Sequence, residues 1–577
     1  MFNMNILGIS GAVHDAAAAL VQDGKVVAAA EEERFKRLKH IGFAGYFTSE
    51  SGLPHASIEY CLKAAGIKAD DVDAVGYYYD PWQEFRSQLG FRLARAHHSP
   101  ARTAYHLVQS VNLLKDHLKT EPMFNRLRKK PLKFHWIGHH ATHNAAAYFC
   151  SPFPDALLVS IDAKGERDSC SVAVGEGNQM RVIETVPYPH SWGMFYMEVT
   201  KHLGFQPCND EYKVMGLASF GKPTYVDQFR QIVHTQSDGS FRFDLSWFNP
   251  TFTGPGMLGP KFLEAFGPAR VPKSAIESKH EDIAASMQVV LEETILAYLK
   301  ALRARTGKKN LCLSGGVVLN CVMNGKILES GLFDNIFIPP NPGDAGCAVG
   351  AALYIHNQLN KAPRSYVMDH AFLGPSYSDG EILAALDNSK VEYRKMDDTP
   401  KEVARLIADG KIVAWYQGRM EWGPRALGNR SLLADPTRGE MRDIVNKWVK
   451  HREDFRPFAP SVLEEEAPKY FEHITDSPFM LFITQVKDDK KAKLPAITHV
   501  DGSARPQTVS KKTNPLYWQV IKEFENITGV GCVLNTSFNV MGEPIICTPP
   551  QAIRCFFGTG IDALAIGNYL VLKPRMG

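Results

Sequence analysis

The sequence predicts an α/β protein of two large domains, on three observations. Its 577 residues exceed what one hydrophobic core holds, roughly 250 to 300 residues. A strand, loop and hairpin pattern opens the chain and returns near residue 156, and apolar strands alternate with helical periodicity through both halves. Hydrophobic residues at 45% and charged residues at 22% are ordinary for a globular chain, which sets aside disordered, fibrous and coiled-coil classes.

The first strands are expected over 5–10, 16–22 and 25–30, with an Asp23-Gly24 turn between the last two; Asp-Gly between apolar runs is a hairpin signal. The second copy covers 156–162, 169–174 and 180–186, turning at 175–177. Two such copies point to a duplicated fold closing on a cleft, as in sugar kinases and actin-like ATPases. A long helix over 281–306 carries Ile283, Met287, Val290, Leu291, Ile295 and Leu299 at helical spacing. A strand over 310–313 then leads into Ser314-Gly315-Gly316, and a proline- and glycine-rich loop from Pro339 enters a small-residue helix reaching Tyr354. The polar run 357–366, with Pro363, is the linker candidate. It divides the chain into 1–362 and 363–577, the second part with strands expected over 412–416, 531–534 and 563–572.

A net charge of +3 gives no long basic stripe for nucleic acid but leaves room for small anions at local clusters. Ten cysteines lie scattered from Cys61 to Cys555 without a C-x-x-C pair, which suggests neither a zinc ribbon nor a disulfide scaffold and fits a reducing compartment. The opening residues do not read as a signal peptide, and no stretch approaches the roughly 20 apolar residues of a membrane span. A soluble, cytoplasmic protein is expected.

Gly138-His139-His140-Ala141-Thr142-His143 runs into an alanine-rich segment that favours a helix. Residues four apart share a helical face, so His139 and His143 can share a metal. The zinc-protease pattern needs Glu directly after the first His, where His140 stands. Asp162 ends an apolar strand and Asp344 opens a helix after a glycine-rich loop, the positions where open α/β folds place ligands. For Asp344 a helix N-cap is the competing reading, and the histidines can equally be plain polar residues of a partly buried helix. Two imidazoles with two carboxylates suit iron, manganese or zinc.

No Walker A loop and no dinucleotide fingerprint occur. Gly315 and Gly316 follow a strand, where bare backbone N–H groups can approach a ribose or phosphate, though Gly-Gly is also a common turn. Lys213, beside Glu211, serves either a nucleotide or a salt bridge. In the second half Lys447-Trp-Val-Lys450-His-Arg452-Glu-Asp-Phe-Arg456, the loop carrying Arg425, the Arg505 segment and Asn535-Thr536-Ser537-Phe538-Asn539 mix cations with aromatics and prolines. Together they look like a pocket for a small dianion; an exposed basic face is the alternative.

These motifs resemble the NodU/CmcH family of O-carbamoyltransferases. The likeness rests on His14-Asp15 with the alanines that follow, Glu31-Glu32-Glu33-Arg34-Phe35, G-H-H-x-x-H, E-Y-K-V-M-G-L-A, S-G-G-V-x-L-N ending at Asn320, G-D-A-G, W-G-P-R-A-L-G-N-R-S, K-H-R-E-x-F-R-P-F-A-P, R-P-Q-T-V and L-N-T-S-F-N, in the family's order over almost the whole chain. The resemblance implies an N-terminal actin-like (ASKHA) ATPase domain similar to the tRNA threonylcarbamoyl transferase and a C-terminal YrdC-like α/β domain. It places His139, His143, Asp162 and Asp344 on the family's metal ligands, for Fe(II) or another divalent ion, and His14 on its catalytic histidine. Arg425, Lys450, Arg452, Arg456, Arg505, Asn535 and Ser537 fall on segments that hold carbamoyl phosphate and the adenylate, with Lys450 and Arg456 also catalytic. Gly165, Lys213, Gly315, Gly316 and Asn320 fall on nucleotide-binding segments. One departure is that Ala163-Lys164 precedes Gly165 where the family has a glycine-rich loop.

The implied chemistry has two stages. ATP, with Mg, and carbamoyl phosphate give carbamoyladenylate, whose carbamoyl group then passes by an enclosed passage to a hydroxyl of a small molecule such as an antibiotic precursor. No nucleic acid or membrane partner is implied, and oligomeric state stays open, a homodimer included. A threonylcarbamoyladenosine-type tRNA-modifying enzyme is the runner-up, and a non-catalytic actin-like ATPase the third reading. Acceptor contacts are expected from the aromatic-rich stretch 77–117.

Overall fold

The computed structural model describes residues 4–11, 14–42, 53–94, 100–249, 257–453, 455–474 and 476–573. Two compact units form: Met1–Glu32 with His40–Val367, and Glu33–Lys39 with Met368–Gly577. A single cut at 362/363 does not contain the short early segment grouped with the second unit. Its arginines explain that grouping, because Arg34 Nη2 donates to the Gly423 carbonyl at 2.9 Å and Arg37 donates to the carbonyls of Pro544 and Ile545, each at 2.7 Å.

The duplication read from the sequence is present. In the first sheet β1 (Asn5–Ser10), β2 (Ala17–Gln22) and β3 (Lys25–Glu31) form an antiparallel meander, and β4 (Ala74–Tyr77) and β5 (Lys133–Trp136) add in parallel beyond β1, giving the order β3-β2-β1-β4-β5. The second sheet repeats it with β6 (Asp155–Ile161), β7 (Asp168–Glu176), β8 (Gln179–Pro187), β11 (Asn310–Ser314) and β12 (Asn335–Phe337), in the order β12-β11-β6-β7-β8. A small ribbon, β9 (Val233–Thr235) with β10 (Phe241–Phe243), lies between β8 and β11 in the chain. The parallel strands β4, β6 and β11 are apolar and buried along nearly their whole length, as strands covered on both faces must be.

Three helices matter most for the site: α1 (His139–Cys150), α2 (Ser278–Thr306) and α3 (Cys347–Leu353). The helix expected over 281–306 starts slightly earlier, where a reciprocal capping box between Glu277 and His280 closes its first turn. α3 is built from Cys, Ala, Val, Gly and Leu, and its small residues allow backbone-to-backbone packing. A Cβ on Gly350 would lie 1.9 Å from the Thr142 carbonyl oxygen of α1, and one on Gly8 of β1 would lie 1.8 Å from the Ala348 carbonyl oxygen. α3 is thereby locked between the first sheet and α1. The chain continues helically through 354–359 with wider turns, so residues 357–359 of the expected linker are helix.

The second unit is a mixed eight-stranded sheet. Its strands are β13 (Arg394–Lys395), β14 (Val413–Tyr416), β15 (Arg430–Ala434), β16 (Ala459–Leu463), β19 (Gln507–Val509), β20 (Cys532–Ser537), β21 (Ala563–Ile566) and β22 (Tyr569–Leu572), in the order β13-β22-β21-β14-β15-β20-β16-β19; β17 (Thr484–Gln485) and β18 (Ser503–Ala504) pair separately. The run 563–572, expected as one strand, is an antiparallel hairpin, because Gly567 takes a left-handed conformation and turns the chain. Trp415, Leu432, Val462, Phe524, Leu534 and Leu564 are fully or almost fully buried and form the centre of this unit's core. All ten cysteines are free thiols, and no helix among the described residues is long and apolar enough to cross a membrane.

Because Gly350 has no room for a side chain, Gly350→Val is expected to destabilise the protein by about 3 kcal/mol, measured as an earlier urea midpoint at unchanged slope. An unmoved midpoint would show that α3 and α1 are not locked together.

Candidate active site

In the first unit the candidate residues gather at the carboxyl ends of strands. His14 follows β1, Tyr78 and Tyr79 follow β4, His139 follows β5, Asp162 follows β6, and Gly315 and Gly316 follow β11. α1 presents His139 and His143 one turn apart, each about 1% exposed. Their Nε2 atoms lie 3.1 Å apart, and both lie against Asp162 Oδ2, at 2.9 and 3.1 Å. Asp344 Oδ1 completes the group at 3.7 Å from both. A divalent ion bonded at about 2.1 Å to donors at right angles separates them by about 3.0 Å, which is the spacing of the three closest atoms here. The Nδ1 atoms of both histidines are buried without a hydrogen-bond partner. Donor chemistry, convergence and spacing fit a first-row divalent ion.

Asp162 is fixed from both sides. Its Oδ1 accepts from the Ala163 and Gly316 backbone N–H groups at 2.8 and 3.1 Å, which turns Oδ2 to the histidines. Burial by itself would raise this carboxyl, but the two imidazoles outweigh it and hold it well below the usual carboxylate range. Gly315 sits at φ +93°, and a Cβ there would lie 2.2 Å from the Ile161 carbonyl oxygen, so only glycine closes this turn. The N-cap of the short turn Asp344–Gly346 is Gly343 and not Asp344. His140 is not part of the cluster: its ring nitrogens meet Ser160 Oγ and the Asp168 carbonyl at 2.8 and 2.9 Å, and burial lowers its pKa to about 3.

His14 lies at the rim, with Nε2 3.9 Å from Asp344 Oδ2. Burial opposes its charged form, but the carboxylates of Asp344, Asp15 and Asp162 prevail and raise it to about 10. The residues assigned to a nucleotide divide. Gly315 and Gly316 adjoin Asp162, and Gly165 packs against the His140 ring. Asn320 instead spends its amide on Gln288 and on the Met323 backbone N–H. Lys213 pairs with Asp210 at 3.1 Å rather than with Glu211. Of the acceptor stretch 77–117, residues 95–99 lie outside the described residues; Tyr78 and Tyr79 reach the site, each ring 5.4 Å from that of His139.

In the second unit Lys450 is 3% exposed. Its Nζ donates to Asn539 Oδ1 at 2.8 Å, to the Asn539 carbonyl at 3.0 Å, to Ser537 Oγ at 3.3 Å and to the Ser537 carbonyl. None of these partners is charged. Burial first, then the cations of Arg452, Arg456 and Lys39, push its pKa well below the ordinary lysine range. Arg452 donates to Asn446 Oδ1 at 2.7 Å and lies over the Phe458 ring, while Arg456 lies 3.8 Å from Glu453. Strand pairing sets Asn535 beside Ser461 and Gln507, and its Nδ2 donates to both at 2.9 and 3.1 Å while its Oδ1 stays buried without a partner. Arg505 is half-buried, its Nε also without a partner.

Sequence reasoning gave no role to Glu421 or His40, and named Asn539 only as part of the dianion-pocket segment. Glu421 Oε1 accepts from the backbone N–H groups of Leu427, Asn429 and Arg430 at 2.7 to 3.0 Å and so shapes the loop that carries Arg425. The signal for Asn539 was present in N-T-S-F-N, which repeats an amide beside the serine. His40 carried no local signal, because its partner is distant in sequence.

Two family models match. One described as the carbamoyltransferase N-terminus covers residues 5–353, and one described as the carbamoyltransferase C-terminus covers 404–573. A Synechocystis protein described as uncharacterized is 40% identical, covering 99% of this chain and 97% of its own. Nodulation protein NolNO of Sinorhizobium fredii is 39% identical over 97% of this chain and 79% of its own, and nodulation protein U of Rhizobium tropici is 29% identical over 99% and 97%.

Removing one donor should be felt by the whole cluster. His139→Ala and Asp162→Asn are each expected to weaken Mn²⁺ binding by about 100-fold or more at neutral pH, read by calorimetry on the metal-stripped protein; unchanged affinity in both would place the ion elsewhere.

Proposed function

The chain belongs to the carbamoyltransferase family, and on that premise we propose that it catalyses ATP-dependent O-carbamoylation of a small molecule. Carbamoyl phosphate supplies the group, and carbamoyladenylate carries it. The observation that carries this reading is the Lys450 ammonium, buried among neutral oxygens and next to further cations. A buried charge without a counterion is costly, and a phosphate or carbamate anion relieves that cost.

In the second unit the proposed step begins when water hydrolyses carbamoyl phosphate to carbamate and inorganic phosphate. The carbamate oxygen then attacks the α-phosphorus of ATP, and pyrophosphate leaves. Lys450, Arg425, Arg452, Arg456 and Arg505 offset negative charge on the phosphoryl oxygens as it develops. Ser537 and Asn535 orient the carbamoyl end, where the unsatisfied Asn535 Oδ1 can accept from its NH₂.

In the first unit His139, His143, Asp162 and Asp344 would hold a divalent ion. When bound, such an ion supplies Lewis-acid polarisation of oxygens on the mixed anhydride. With Asp344 and Asp162 committed to an ion, their charge would no longer hold His14 protonated, and its Nε2 takes the proton of the incoming hydroxyl as the new C–O bond forms and AMP departs. Backbone N–H groups around Gly315 and Gly316 are suited to the adenylate's ribose or phosphate. The acceptor we propose is a hydroxyl-bearing secondary metabolite or antibiotic precursor, approached past Tyr78 and Tyr79.

Incubation with ATP, carbamoyl phosphate and a panel of polyols, aminoglycosides and macrolides should give an acceptor heavier by one carbamoyl group. ATP–pyrophosphate exchange should require carbamoyl phosphate, and exchange without it counts against the proposal. Lys450→Met is expected to lower exchange by about 1,000-fold, whereas His14→Asn should abolish transfer and leave exchange largely intact.

A further inference from the structure

We propose that Asp15, backed by His40, is a positioning residue that fixes the His14 imidazole for proton transfer; this rests on the carbamoyl-transfer reading above. Asp15 Oδ2 lies 3.0 Å from His14 Nδ1, and Asp15 Oδ1 lies 2.7 Å from His40 Nδ1. One carboxylate therefore joins two imidazoles, one through each oxygen. With Nδ1 of His14 engaged, Nε2 is the nitrogen left to face the donor cluster, 3.9 Å from Asp344 Oδ2.

Local structure holds this arrangement at some cost. Asp15 and His40 both adopt left-handed backbone conformations, each at φ +55°; non-glycine residues at such angles cluster at functional sites. The two turns are tied together, since Ala16 N–H donates to the Ile41 carbonyl at 2.7 Å. Gly11 tightens the first turn further, because a Cβ there would lie 2.2 Å from Ala16 Cα. Residues far apart in the sequence are thus brought to one carboxylate by backbone geometry.

The arrangement has the logic of a histidine base oriented by a carboxylate. As the acceptor oxygen bonds to the carbamoyl carbon and the bond from that carbon to the adenylate oxygen breaks, the hydroxyl proton passes to His14 Nε2. Asp15 stabilises the imidazolium that results and keeps its own charge, because His40 occupies its second oxygen. The proton then leaves His14 to solvent, and AMP and the carbamate ester are released.

The test uses the full-length, Mn²⁺-loaded chain and the acceptor in a polyol and aminoglycoside mixture that the wild type carbamoylates fastest. Asp15→Asn should lower the transfer kcat by about 1,000-fold, with acceptor KM within about threefold and carbamoyl phosphate-dependent exchange unchanged. Asp15→Glu should recover at least about tenfold over Asp15→Asn, and His40→Ala should lower kcat by about tenfold. A kcat for Asp15→Asn within threefold of wild type overturns this assignment alone. So does a loss that Asp15→Glu does not recover and that takes exchange with it. Absence of any transfer by the wild type overturns both this and the parent reading.

Discussion

The first unit depends on how closely three backbones approach one another at the small-residue helix α3. Gly8 admits its carbonyl edge to β1, and Gly350 admits the Thr142 carbonyl of α1. Gly76 of β4 does the same for the Ala351 carbonyl, which a Cβ would approach to 2.8 Å. Since Asp344 lies just ahead of α3 and both site histidines lie on α1, these contacts set the distance between the carboxylate and the imidazoles. Larger side chains at the crossings would move the helices apart by more than the few tenths of an ångström that a shared ion tolerates.

Two opposite electrostatic problems follow from the fold. In the first unit carboxylates and imidazoles are crowded at the carboxyl ends of parallel strands, an arrangement that favours positive charge and raises the His14 pKa. In the second, a buried ammonium is held by neutral oxygens beside guanidinium groups, an arrangement that favours an anion and lowers the Lys450 pKa. Neither is a good way to stabilise an empty protein, since buried charge costs more than its neutral hydrogen bonds return. Both make sense as sites prepared for a charged ligand.

Much of this was legible in the sequence because it was local. The i, i+4 spacing of His139 and His143 follows from helix geometry, Asp162 from the end of an apolar run, and the duplicated sheet from a repeated hairpin. Part of what escaped was local but masked by its surroundings, and the rest depended on contacts across the chain. The hairpin inside 563–572 hides behind continuous hydrophobicity, Lys213 takes Asp210 rather than its nearer neighbour in the motif, and Asn320 turns to Gln288 on α2. His40 meets Asp15 only because a backbone hydrogen bond joins two distant turns. Likewise, the segment Glu33–Lys39 sits with the second unit through carbonyls of loops that follow several hundred residues later.

The most direct measurement is the product stoichiometry of a single incubation with ATP, carbamoyl phosphate and an accepted alcohol. One AMP and one pyrophosphate for each carbamoylated acceptor is the expected result. Formation of ADP in place of AMP and pyrophosphate, or transfer that proceeds at the same rate without ATP, contradicts an adenylated carbamoyl intermediate.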